Sequence, residues 1–164
     1  MEEISLYGTN GKPKWFRELN PRGTVPVLVC DNGNIVLPDS ELILDYLGDD
    51  SCLTPTNESE KEIVKMWRND IAQRLAPIGK NAVLRSQEDD LYALLNSLND
   101  RVVGPYLCGN RVTVADCAAF PFFWRIEQEF GCLEDCKKLY DWLQLCKKEK
   151  AFKRTIQNNW WWWW

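Results

Sequence analysis

The hydrophobic rhythm changes once along this 164-residue chain, and that change limits the folds open to it. Beyond residue 57, apolar side chains recur at three- and four-residue spacing: Ile63, Val64, Trp67, Ile71 and Leu75 before Pro77, then Leu91, Leu94, Leu95, Leu98 and Val102, then Leu139, Trp142, Leu143 and Cys146. Such spacing places side chains on one face of an α-helix, so this part predicts helices packed through apolar stripes. Residues 1–48 follow another pattern. Ile4-Ser5-Leu6-Tyr7 alternates as a short strand, and Lys14 to Leu19 reads as a short helix ended by Asn20-Pro21-Arg22-Gly23. Val25 to Val29 and Ile35 to Leu37 flank Asp31-Asn32-Gly33-Asn34, the composition of a hairpin turn. A second helix is signalled from Ser40 at the cap position, with Glu41 in the first turn and Leu42, Ile43, Leu44, Tyr46 and Leu47 before Gly48.

The expected organisation is an α/β part at 1–48, a polar linker at 49–57, an all-helical part at 58–159, and a low-complexity tail, Trp160 to Trp164, outside any periodic pattern. Thr113-Val114-Ala115-Asp116 has the form of a capping box and is assigned to stability. Asp89-Asp90 and the Lys147 to Lys150 run are read as solvated faces.

Composition removes several function classes. Twenty-four acidic residues against 20 basic give a net charge of −4 with the cations scattered, which leaves no footprint for nucleic acid. No run approaches the roughly 18 to 20 apolar residues of a membrane span, and the acidic start Met1-Glu2-Glu3 is unlike a targeting peptide. A cytoplasmic protein is expected. Its seven cysteines, an odd number without C-x-x-C spacing, read as reduced thiols. Histidine is absent, which removes Ser-His-Asp and Cys-His activation and the commonest metal ligand, so no metal is expected.

Four segments, in order, resemble the cytosolic glutathione transferases, nearest to the omega-like and plant-type groups. They are Lys12-Pro13-Lys14-Trp15-Phe16; Asn20-Pro21-Arg22-Gly23-Thr24-Val25-Pro26-Val27-Leu28; Asp39-Ser40 with the helix after it; and Leu107 to Asp116. The resemblance implies a partial thioredoxin-like α/β part followed by the family's helical domain, with glutathione as co-substrate. It implies that Lys12 meets the glycyl carboxylate and that a cis Val25-Pro26 bond presents backbone to the cysteinyl part. Asp39 would hold the ligand's ammonium group, and Ser40 with the first helix amides its γ-glutamyl carboxylate. On the residues alone, Lys12 is equally a solvated surface cation, Ser40 an ordinary N-cap and Pro26 a trans edge-strand proline.

In the family, a Tyr, Ser or Cys at the junction of the first strand and helix serves the glutathione sulfur. Met1 here stands at the start of what resembles the second strand, so no catalytic residue is assigned. Cys30 and Cys52 are the thiols nearest the motifs, and neither has a neighbour that would lower its pKa. The implied activity is transfer of glutathione to a small electrophile, or thiol exchange, at a weak level or none. The alternative is a catalytically inactive binding or assembly module, acting as a homodimer or with a protein partner that fills the missing strand.

Overall fold

The computed structural model describes residues 11–49 and 51–156. The strand expected at Ile4 to Tyr7 and the tryptophan tail lie outside them. The chain divides after Ser51 into two compact units.

In the amino-terminal unit, helix α1 (Lys14–Leu19) follows Pro13 and buries Phe16. It ends at Asn20, whose amide donates to the Phe16 carbonyl at 2.8 Å. The next turn closes through Gly23 N–H to the Asn20 carbonyl at 2.8 Å, with Gly23 at φ 67°, a conformation that costs a side-chain-bearing residue about 1 kcal/mol or more. The Val25-Pro26 peptide is cis. Strand β1 (Leu28–Cys30) pairs antiparallel with β2 (Ile35–Leu37), Leu28 opposite Leu37 and Cys30 opposite Ile35. Asp31, Asn32 and Gly33 all take positive φ in the turn between them, the backbone that these residue types tolerate best. The strand expected from Val25 begins only at Leu28, since Pro26 has no N–H to give a ladder.

Helix α2 (Ser40–Gly48) corrects one expectation. Its N-cap is Asp39, in extended conformation, and Asp39 Oδ1 accepts the Glu41 N–H at 2.8 Å; Ser40 is the first helical residue. Both residue types cap well, but a carboxylate gains more from the partial positive charge of the helix amino end.

The second unit is helical. Asn57 caps α3 (Glu58–Asp70), its Oδ1 accepting the Glu60 N–H at 2.9 Å. Pro77 does not stop the helical path: a π-turn, Ile71–Leu75, leads directly into α4 (Ala76–Arg85), and Pro77 falls in the first turn of α4, where a missing N–H matters least. Helices α5 (Asp89–Asn99), α6 (Val114–Phe130), α7 (Lys137–Lys148) and α8 (Lys150–Thr155) complete it. Helix α3 packs on α6, α4 on α5, and α6 on α7. Trp67, Leu75, Leu91, Leu98, Phe123, Leu139 and Trp142 are fully buried between them, each worth about 1.5 to 3 kcal/mol for its removal from water. Of the expected stripes, only Ile63 is left half-buried.

Asp116 is the polar centre of this core. Its Oδ2 accepts from Thr113 N–H at 2.7 Å and Thr113 Oγ1 at 2.9 Å; its Oδ1 accepts from Leu107 N–H at 3.0 Å and Trp142 Nε1 at 2.8 Å. One fully buried carboxylate thus joins the loop before α6, the start of α6 and α7. Arg111 does similar work nearby, donating to the Cys52 carbonyl at 2.6 Å, the Thr54 carbonyl at 2.7 Å and Glu60 Oε2 at 2.9 Å. Glu60 also accepts from Thr56 N–H and Oγ1, at 2.6 and 2.8 Å. Burial opposes the charge on Glu60, but the Thr56 and Arg111 donors outweigh it and hold its carboxyl below the usual range. Among the described residues no helix is long and apolar enough to cross a membrane.

Candidate functional site

Lys12, Val25, Pro26, Asp39 and Ser40 all lie in the amino-terminal unit. A small set of polar contacts links the segment that carries Val25 to the segment that carries Asp39. The Asn20 side chain, 2% exposed, donates through Nδ2 to the Thr24 carbonyl at 2.8 Å and to Thr24 Oγ1 at 3.2 Å. Thr24 Oγ1 in turn donates to the Pro38 carbonyl at 3.0 Å. The residue before Val25 is therefore bonded to the residue before Asp39, although 14 positions separate them.

Lys12 runs over the same turn. A methyl group on Gly23 would lie 3.1 Å from Lys12 Cδ and 3.3 Å from Nζ, closer than van der Waals contact allows without a shift. Gly23 thus serves both the positive φ of the turn and the path of the lysine side chain. Val25 is 45% exposed, and Pro26, Asp39 and Ser40 are exposed.

Chemically, this turn combines a primary ammonium group, an exposed stretch of backbone outside the ladder, and a helix amino end. Asp39 Oδ1 is committed to the cap, and a carboxylate has a second oxygen that can meet an ammonium group. The Ser40 amide and hydroxyl stand outside the cap bond, at the end of α2 that favours anions.

The thiols are less suited to chemistry. All seven cysteines are free. Burial pushes Cys108, Cys117 and Cys132 up to about 11, and raises Cys136 and Cys146 as well, so at neutral pH these remain thiols. Cys52 is exposed and Cys30, at the end of β1, is half-buried. Tyr106 is pushed up to about 12 by burial and by its 2.9 Å bond to Glu149, which holds its proton. Among the described residues no cluster of Cys, Asp and Glu is arranged to hold a metal ion.

Sequence reasoning singled out the residues that face a ligand in the family but missed the three that arrange them, Asn20, Gly23 and Thr24. Their signal was the polar, glycine-containing turn itself, which reads as a helix stop and as part of a family-like segment but gives these three residues no role of their own.

Comparison with known proteins agrees with the four segments. The family model for the glutathione S-transferase N-terminal domain matches residues 2–50, and that for the glutathione S-transferase C-terminal domain matches residues 57–149. The chain belongs to the glutathione S-transferase family. A glutathione S-transferase of Emericella nidulans is 29% identical over 135 residues, covering 71% of this chain and 50% of its own length. Pig glutathione S-transferase omega-1 is 26% identical over 155 residues, covering 85% and 64%. The chain thus spans about half to two thirds of the length of these relatives. Among solved structures, glutathione transferase Omega 3C from Trametes versicolor superposes with a TM-score of 0.78 at 21% identity, over 96% of this chain and 76% of that one. The Bombyx mori transferase BmGSTD1, in a complex with GTT, gives 0.70 at 24% identity, over 87% and 71%. At these identities the solved structures establish the fold: a thioredoxin-like amino-terminal domain, here with a two-stranded sheet among the described residues, followed by the helical domain.

Proposed function

We propose that this chain binds glutathione along the Gly23 to Pro26 turn and the amino end of α2, and that its activity is transfer of glutathione to a small electrophile or exchange of thiols. One observation supports this: the 3.0 Å bond from Thr24 to Pro38 joins two segments that are distant in sequence. There the Lys12 ammonium would meet the glycyl carboxylate, the Val25 backbone would pair with the cysteinyl residue as an added strand does, and Asp39 with Ser40 would hold the γ-glutamyl end. These groups orient the tripeptide. Lowering the pKa of its thiol, near 8.5 in a free cysteine, requires a donor to the sulfur, and no residue of the matched motifs supplies one.

A second assignment, a binding or assembly module, is favoured by the exposure of Trp15, Val29, Leu42, Tyr46 and Leu47 in this unit. A partner of apolar surface, a second copy included, would cover them.

The test is thermal unfolding of the full chain across a glutathione titration. Binding to the folded state raises stability by RT ln(1 + [L]/Kd), about 2.7 kcal/mol at one hundred times Kd, so the midpoint climbs steadily with ligand. A cooperative transition indifferent to millimolar glutathione would refute the site. Sedimentation of the same samples separates the module: a stable complex without ligand dependence supports it.

A further inference from the structure

We infer that Thr24 is a positioning residue for ligand binding, its hydroxyl holding the Val25 backbone and the amino end of α2 at the separation that one tripeptide spans. The inference rests on glutathione binding at this turn and adds a residue that none of the family's motif positions implies.

The ladder between β1 and β2 stops at the Leu28–Leu37 pair. Residues 25–27 extend beyond it, and Pro26 has no N–H with which to continue it. The two chain segments leaving the open end of the hairpin would be free to spread, and they carry Val25 on one side and Asp39 on the other. The Thr24–Pro38 bond ties them one step further out.

The direction of the bond follows from its neighbours. Asn20 Nδ2 donates to both the carbonyl and the hydroxyl oxygen of Thr24, which occupies an acceptor position on Oγ1 and turns its single proton toward Pro38. Asn20 is itself fixed, being buried and bonded through its backbone to Phe16 and Gly23. The relay therefore runs from the end of α1, through Thr24, to the residue before the cap of α2. An exposed threonine hydroxyl ordinarily exchanges with water at little gain; this one joins two backbone segments that meet different ends of the same ligand.

The experiment compares glutathione and its glycyl monoethyl ester, by titration calorimetry on the full chain well below the unfolding midpoint, for the parent, Thr24→Val and Thr24→Ser. Valine keeps the shape and loses the proton; serine keeps the hydroxyl. Thr24→Val is expected to weaken both ligands by about five- to tenfold, the equivalent of one hydrogen bond, and by the same factor, because the hydrogen bonds of Thr24 run to Asn20 and Pro38. Thr24→Ser is expected to bind within about twofold of the parent.

Parent-like affinity in Thr24→Val, or an equal loss in Thr24→Ser, would overturn the inference while leaving glutathione binding intact. A parent that binds no glutathione refutes the site and the positioning role together. A purely structural contribution would lower the melting temperature and leave Kd of the folded protein unchanged, which also overturns it. If Thr24→Val does not fold, the contrast of Thr24→Ala with Thr24→Ser gives the same decision.

Discussion

The two units differ in how their order is secured. The helical unit is held by apolar stripes that interlock over the length of several helices, with Asp116 and Arg111 tying loops to that mass. In the amino-terminal unit, among the described residues, Phe16 is the one buried large apolar side chain, while Trp15, Val29, Leu42, Tyr46 and Leu47 are 44 to 59% exposed. There, a few directed hydrogen bonds hold the turn. The contrast teaches that the packed core and the proposed ligand site fall in separate parts of the chain, so mutations should separate them.

The largest expected effect tests the helical side. Asp116→Ala leaves four donors, on three residues and all buried, without their acceptor, and should cost about 5 kcal/mol, read as a lowered urea midpoint followed by far-ultraviolet circular dichroism. A loss under about 1 kcal/mol would remove Asp116 from the centre of the unit. Next, Phe16→Ala should cost about 3 kcal/mol but locally: hydrogen exchange should quicken across residues 11–49 while α3 to α7 keep their protection. Loss of protection in both units alike would show that they unfold as one.

Glu60 offers a smaller, pH-resolved effect. Its carboxyl is held below its ordinary value of 4.5 in the folded state, so the unfolded chain takes up the proton first as pH falls. The stabilisation is present above the ordinary value and is lost as pH drops through the lowered one. Glu60→Gln should flatten that acid limb and leave the neutral-to-alkaline slope alone. An unchanged limb would mean that Arg111 and Thr56 do not favour the charged form. Smallest is Gly23→Ala, expected to weaken glutathione about threefold and its glycyl ester less, because the added methyl displaces Lys12. Equal weakening of both ligands would assign the effect to backbone strain at φ 67°.

Most of the helical unit was legible because each stripe is a local pattern, and burying it has only one geometric solution per helix. The Thr113–Asp116 pair was legible for the same reason, lying three residues apart. What Asp116 does for Trp142, 26 positions away, was not, since no local rule links an indole N–H to a carboxylate on another helix. Arg111 was missed likewise: its acceptors are mostly backbone carbonyls, which every residue carries. The first stripe is legible only as far as Leu75, before Pro77; the wider turn that carries the helical path on into α4 has no signal in composition. The Asp39-Ser40 cap shifted by one residue because two good capping residues stand side by side. At the turn, the candidate site residues came from family resemblance, whereas the Asn20–Thr24–Pro38 relay is a matter of side-chain direction in three dimensions.

The burial of its thiols also decides how this protein can be watched. A thiol with a pKa of about 11 is ionised in about one molecule in ten thousand at pH 7, so Cys108, Cys117 and Cys132 are nearly silent toward maleimide dyes. To such reagents a chain with seven cysteines offers Cys52 as its exposed handle. The carbonyl of that same residue is gripped by Arg111, so a fluorophore attached there would report the release of the grip as a change in its anisotropy, without a single engineered cysteine.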